Sequence, residues 1–539
     1  MVADTTTMDV DEMLHHAGDF GRYQLILIFL FSIVNVLSTF DYFGQTFLFV
    51  MSPHWCRLPE IEQTTTARER RFIWAPPGDS ACSRFDMNLS DISTPPDANW
   101  STRPCDVGWE YNLTMGYNSV INELNWVCDD NWKSALGQSL FFVGCVFGTL
   151  GLGIMADHIG RLPVLVLANM LSLFGNLATY FTSDLLLFGA SRFMHGLSTD
   201  TNFVMMYIIV LEYMRPDKRT LGLNLSNGVF STVATVALPW IAIGSGDWRS
   251  FLLIISLPLM IVPLYYLVVP ESASWLISKG RMDEAVTCFE KVAAFNGRKL
   301  PPDVVKEFKE SSKMAPSEKS RNLLGLFKTP RLRRKTCILI FKSMVLTLCF
   351  DAISRNVEGL GYSPFVIFSV TGVTKLPSSL VIVALQDRLG RKAMASGALF
   401  LSGVFTVASG VALAILGSGI DPLLTVAFAV IGRFGVYIAY FSGSQYAAEL
   451  IPTEVRGQGV AAVHVTGYAA TFFSAHILYL ATYWRAIPDL VLGVLSITGA
   501  VLCLMLPETL NKTLPVTLED GESFGEGEGF WEFSCSKKK

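Results

Sequence analysis

Gly151 to Arg161 reads GLGIMADHIGR, and most of it returns 230 residues later as ALQDRLGRK, Ala384 to Lys392. In each copy an apolar run of membrane length stops at Asp157-x-x-Gly160-Arg161 or Asp387-x-x-Gly390-Arg391, and another apolar run begins a few residues on. Each copy is therefore a tight, charged turn between two helices. Other echoes fall at nearly the same offset. Ser191-Arg192-Phe193 returns as Gly432-Arg433-Phe434, Glu212, Pro216 and Arg219 as Glu449, Pro452 and Arg456, and Pro270-Glu271-Ser272 as Pro507-Glu508-Thr509. A lone Asp-x-x-Gly-Arg is an ordinary helix-ending turn, but four echoes in register describe a chain of two similar halves around a central path.

Composition sets the class. With 51% apolar and 16% charged residues the 539-residue chain is too apolar for a soluble multidomain protein and reads as a polytopic membrane protein. A net charge of -4 offers nucleic acid no basic field, and the ten cysteines hold no pair at zinc spacing. Metalloprotease, nucleophile-elbow and Walker A motifs do not occur, which counts against an enzyme and against an ATP-driven pump. No cofactor is implied.

The first apolar run, Tyr23 to about Gly44, follows an acidic segment, residues 1–22, rather than the basic start of a signal peptide. It is long enough for the roughly 20 residues of a spanning helix. Residues 45–134 are polar and aromatic, with sequons at Asn88, Asn99 and Asn112 and with Cys56, Cys82, Cys105 and Cys128. Clustered sequons and four cysteines predict an extracellular, glycosylated loop with two disulfides, in any of three pairings. Further runs at about 135–155, 163–183, 185–212, 222–244 and 249–269 complete a first half, 23–270. The basic turns holding Arg161, Arg215, Lys218 and Arg219 are expected in the cytosol.

Residues 271–336 carry fifteen Lys/Arg and eight Asp/Glu and form a cytosolic bridge. The spacing of Ala285, Phe289 and Val292 predicts amphipathic helices there. Six more runs, 337–359, 362–384, 394–416, 421–448, 458–480 and 488–507, give a second half, 337–510, and put both termini in the cytosol. The Gly/Glu-rich tail, 511–539, reads as disordered.

These features together resemble the major facilitator superfamily, which implies an all-α membrane fold of twelve helices in two pseudo-symmetric halves. The Cys-rich first loop, the run NELNWVCDDNWKSALGQSLFFVGCVFG and the segment ESASWLISKGRMDEA are similar to solute carrier family 22, the organic cation, anion and carnitine transporters. The likeness covers nearly the whole chain and looks closest to invertebrate organic cation, carcinine and β-alanine-type members. It implies a plasma-membrane transporter of small organic molecules. Cation members place an acid in the eighth span before a proline and another midway along the eleventh. Here those positions read Lys375, in VTKLP, and Tyr468, in VTGYAA, where anion and carnitine members carry arginine.

An ionisable side chain at mid-membrane is costly and marks a candidate site. Asp351, Arg355 and Glu358 fall at i, i+4 and i+7 of the seventh span, with an internal Asp351–Arg355 pair as the plain alternative. Asp200 sits in a polar turn of the fourth span. Tyr42, Tyr207, Tyr437, Tyr440 and Tyr468 can face an ammonium, or simply pack. His464 and His476 of the eleventh span can relay protons or hydrogen-bond in place. The repeated Asp157, Arg161, Arg192, Glu212, Arg219, Asp387, Arg391, Arg433, Glu449 and Arg456 are assigned to gating or structural ion pairs.

Counting the unrepeated charges gives Asp200, Asp351 and Glu358 against Arg355 and Lys375. Both signs suit a zwitterion such as carnitine or β-alanine, or an amine conjugate. The expected partners are such a molecule and the lipid bilayer. An organic anion transporter is the alternative, and a non-transporting receptor with a ligand-binding ectodomain is a second.

Overall fold

The computed structural model describes residues 10–18, 21–76, 81–86, 96–97, 99–214, 216–314, 323–358, 361–419 and 421–533. Twelve membrane-length elements form two groups of six. Ten helices among the described residues are long and apolar enough to cross a membrane. The fourth span, Leu185–Gly196 and Thr201–Glu212, and the eleventh, Arg456–Tyr479, complete the set.

Two spans are broken where the candidate charges lie. The fourth stops at Gly196 and restarts at Thr201, with Asp200 between them at φ 71°. The eighth runs Pro364–Gly372 and then Lys375–Leu389. In the sixth span, Trp248–Ser256 passes into a tighter 3-10 coil at Leu257–Leu267, where Pro258 and Pro263 each remove a backbone donor. Small residues set the closest packing. A Cβ on Gly144 of the second span, Trp132–Ile159, would lie 2.2 Å from the Phe193 carbonyl of the fourth, so only glycine permits that approach.

Between the first span, Arg22–Leu48, and the second lies a cap. Two antiparallel strand pairs, His54–Cys56 with Trp109–Tyr111 and Ser83–Phe85 with Thr102–Pro104, are stapled by Cys56–Cys105 and Cys82–Cys128. Of the three possible pairings, this one is formed. Asn99 and Asn112 are exposed on the cap, while Asn88 lies outside the described residues. The Asn118 amide donates to Gly246 at 2.9 Å, and Glu123 receives both the Trp248 indole and the Arg249 guanidinium, so the cap is bolted to the turn between the fifth and sixth spans.

The opposite face carries the described helices nearest both ends of the sequence, Val10–Gly18 and Leu518–Ser523. Helix Val10–Gly18 lays Met13, Leu14 and Ala17 against Met282–Phe295, whose Ala285, Phe289 and Val292 are fully buried. Within the described residues 511–533, the tail holds a helix where its composition predicts disorder. Helix Leu518–Ser523 follows a Thr517 N-cap, and Glu522 accepts from the Thr329 hydroxyl at 2.6 Å and from the Arg331 amide at 3.1 Å. Those donors open the seventh span, Pro330–Arg355, so the tail supplies a carboxylate to a helix N-terminus. Residues 534–539 lie outside the described residues.

Candidate functional site

Hydrogen bonds between the halves form a belt on the cap-facing side. Asp351 Oδ1 accepts from Arg355 Nε at 2.8 Å and from the Tyr42 hydroxyl at 2.7 Å, while Oδ2 accepts from Ser474. Arg355 also donates to Thr46 Oγ1 and to the Tyr42 carbonyl, both at 2.8 Å. First, seventh and eleventh spans are thus joined by one knot, with both charged side chains buried. Beside it, Ser139 of the second span donates to the Phe472 carbonyl at 2.9 Å and lies 3.1 Å from His476 Nδ1 of the eleventh.

Glu358 departs from the sequence reading. The seventh helix ends at Arg355, so Glu358 shares no helical face with Asp351; it is exposed in the following turn and accepts from the Met51 amide at 3.0 Å.

Lys375 opens the second half of the broken eighth span and points into the interface. Its ammonium donates to Thr235 Oγ1 at 2.7 Å and Ser231 Oγ at 3.1 Å, both on the fifth span, Pro216–Ser245, and lies 4.4 Å from the Phe43 ring centre. It is 3% exposed, and no carboxylate pairs with it among the described residues. Hydroxyls and ring faces leave the charge of such a buried ammonium uncompensated.

Asp200 lies across the interface from His464, carboxylate to Nδ1 3.7 Å. Their side chains are 19% and 31% exposed, whereas Asp351 and Arg355 are sealed at 0% and 1%. Asp200 and His464 are thus more open than the belt pair. An aromatic wall connects the two sites. The Lys375 ammonium is 5.8 Å from the Tyr437 ring, Phe350 packs on Tyr437 and stacks on Tyr440 at 4.2 Å, and Tyr440 and Tyr468 lie within Coulombic reach of Asp200. Tyr207 is set apart, stacked on Phe203.

The repeated charges divide into two kinds. Asp157–Arg161 at 3.0 Å, Asp387–Arg391 at 2.9 Å and Arg391–Glu449 at 3.2 Å are ion pairs at the termini-bearing face. Glu212 instead accepts from the Ser272 hydroxyl, and Arg456 donates to the Ile451 carbonyl. Arg192 and Arg433 form no ion pair among the described residues: Arg192 donates to Asn176 and Thr179, Arg433 to Thr371 and the Phe368 carbonyl. The side chain of Arg219 lies outside the described residues.

Three carboxylates have no role assigned from the sequence: Glu271, Glu508 and Asp41. Glu271 accepts from the Arg161 amide at 2.8 Å and Glu508 from the Arg391 amide at 3.0 Å, so each caps the helix that its own motif opens. Their echo as Pro-Glu-Ser and Pro-Glu-Thr was the signal. Asp41 is buried in the first span and accepts from Ser172 at 2.6 Å and Asn176 at 3.2 Å, which links it to Arg192 through Asn176. A carboxylate in the middle of an apolar run was visible in the sequence.

Two half-bundles joined by a charged belt define a membrane transporter of the major facilitator class. Residues 106–517 match the model of the sugar (and other) transporter family. An organic cation transporter protein of Drosophila melanogaster is 30% identical over 532 residues, covering 96% of this chain and 95% of that protein. Human solute carrier family 22 member 13 is 30% identical over 529 residues, 95% and 93% of the two chains. A Drosophila melanogaster carcinine transporter is 27% identical over 98% of this chain and 82% of its own. The proton:xylose symporter XylE, solved with 6-bromo-6-deoxy-D-glucose, superposes with a TM-score of 0.58 at 14% identity over 94% of this chain and 99% of its own, which is a likeness of fold. The chain belongs to the sugar (and other) transporter family of the major facilitator superfamily, within its solute carrier 22 organic cation branch, and its relatives are transporters rather than enzymes.

Proposed function

We propose that the protein is a plasma-membrane transporter of small zwitterions, of the carnitine, β-alanine or amine-conjugate class, that also accepts organic cations. The observation that carries this reading is Lys375, a buried cation with hydroxyl and aromatic neighbours but no carboxylate among the described residues. A substrate carboxylate completes that site. Asp200 offers its ammonium partner on the other half, and Tyr437 and Tyr440 supply ring faces between them.

A ligand held by Lys375 of the second half and Asp200 of the first couples the halves, as alternating access requires. The cap, with its disulfides and exposed sequons, faces outside, and both termini and the ion-paired turns face the cytosol. On that orientation the structure is closed outward by the Asp351–Arg355 knot and reached from the cytosol at Asp200. Asp351 and Arg355 then act as the outer gate, since their polar atoms are already engaged. Asn99 and Asn112 are the proposed glycan acceptors described here, with Asn88 as the third sequon.

An organic anion transporter is the second reading, favoured by the closeness of Arg433 to Lys375. Uptake of a labelled quaternary ammonium, a zwitterion and an aromatic carboxylate into cells separates the two: saturable zwitterion or cation flux supports the first, carboxylate flux alone the second. Binding without flux of any of the three indicates a receptor.

A further inference from the structure

A cavity of about 730 Å³ lies between the cap and the belt, within the size range of ligand pockets. Its floor is Arg355, Asn356 and Asp489, and its polar atoms are engaged: Arg355 in the knot, and Asp489 by Asn356 and by Ser409 at 2.7 Å. Its upper wall differs. Arg71, on the short cap helix Ala67–Phe72, stacks its guanidinium 5.7 Å from the Trp55 ring centre and 5.1 Å from that of Phe72, and pairs with no carboxylate among the described residues. A guanidinium within cation–π distance of two rings still has N–H donors to offer a carboxylate.

Opposite charge lines the same space. Glu358 has one oxygen on the Met51 amide and no other donor among the described residues, while Tyr362, 52% exposed, offers a ring face. Arg485 stands exposed on the same lining. An anion-binding edge, an open carboxylate oxygen and ring faces within one cavity are the complement of a molecule carrying both signs.

We infer that this chamber is a second ligand site, an antechamber that takes a small zwitterion from the cap side while the belt beneath it is shut. The choice of ligand rests on the zwitterion reading of the central site. The knot stands between the two sites, since Arg355 is at once a lining residue of the chamber and a member of the gate.

The test uses the full-length chain in intact cells, with Ser363→Cys on the chamber lining labelled by a membrane-impermeant thiol reagent and with carnitine and β-alanine as probes. Asp200→Asn with Lys375→Ala removes the central anchors. The chamber predicts that a probe still slows labelling of Ser363→Cys in that background, and that Arg71→Ala raises the concentration needed by about tenfold or more, the loss of a charge-assisted hydrogen bond. Arg71→Lys should recover part of the effect, and Glu358→Gln should weaken protection if the cap of the Arg71→Ala protein fails to reach the surface. Protection absent without the central anchors, or unmoved by both the Arg71 and Glu358 changes, overturns the antechamber. Uptake by the unmodified protein is read separately: no zwitterion flux with Arg71-sensitive protection overturns the transport reading and keeps the chamber, and flux without protection does the reverse.

Discussion

Arg355 and Asp351 meet at 2.8 Å on one helix, yet every other hydrogen bond their side chains make reaches a different span. The pair neutralises itself and at the same time ties the seventh span to the first and eleventh. Removing one partner strands a buried charge, at a cost of about 3–5 kcal/mol. Asp351→Asn and Arg355→Gln alone should therefore each cut surface expression and uptake severalfold. The double variant should regain expression while its belt stays weak, read as faster thiol labelling from outside at Ser139→Cys. A double variant with no gain in surface level would show that the pair does more than cancel its own charge.

The turn glycines make a second test. Gly160 has φ 107° and Gly390 has φ 91°, and a Cβ on either would come within 2.3 Å or 2.2 Å of Glu271 or Glu508 respectively. Alanine there should both strain the turn and displace the capping carboxylate. Gly160→Ala and Gly390→Ala are expected to lower maximal uptake about tenfold or more with little change in apparent affinity, since the turns lie far from Lys375. A change confined to affinity in transport kinetics would reject this.

The ion pairs beside these turns should behave alike. Asp157→Asn, Arg161→Ala, Asp387→Asn and Arg391→Ala are each expected to slow turnover more than binding. Normal transport by all four at normal surface level would refute a latch at this face.

The tail carries a pH dependence with a definite sign. Burial is the largest single influence on Glu522 and raises its carboxyl, but hydrogen bonds from the Thr329 hydroxyl and the Leu332 and Arg331 amides, with the nearby Lys335 charge, together outweigh it and hold the carboxyl below its ordinary value of 4.5. A lowered carboxyl contributes stability that is complete above 4.5 and is lost as pH falls through the lowered value. Glu522→Gln should thus lower the thermal midpoint of the purified protein at pH 7, and the gap to the unmodified protein should close in strong acid. A gap that widens in acid would contradict the cap.

Membrane-length runs and the echoed turns were legible because hydrophobic length and helix-ending charge are local properties. The partner of each charge was not. Asp351 and Arg355 announce themselves at i and i+4, but nothing local places Tyr42, Thr46 or Ser474 beside them. Glu358 continues a helical spacing that the backbone abandons at Arg355. Arg192 and Arg433 repeat like ion-pair partners, yet they bond neutral oxygens that only the packing of the spans brings near. The tail misleads through composition: its glycines and glutamates read as solvated chain, whereas Glu522 caps a helix almost two hundred residues away in sequence.

Uptake by three proteins in proteoliposomes shows whether Lys375 and Asp200 hold the substrate. The unmodified chain, Lys375→Glu and Asp200→Asn are assayed with labelled carnitine, a quaternary ammonium and an aromatic carboxylate. The unmodified chain should show saturable carnitine flux. Lys375→Glu should shift preference toward the plain cation and Asp200→Asn should lose carnitine and cation flux, each change about tenfold or more for loss of a buried charge contact. Carnitine flux left unchanged by both substitutions, or flux of the carboxylate alone, would contradict a substrate site at Lys375 and Asp200.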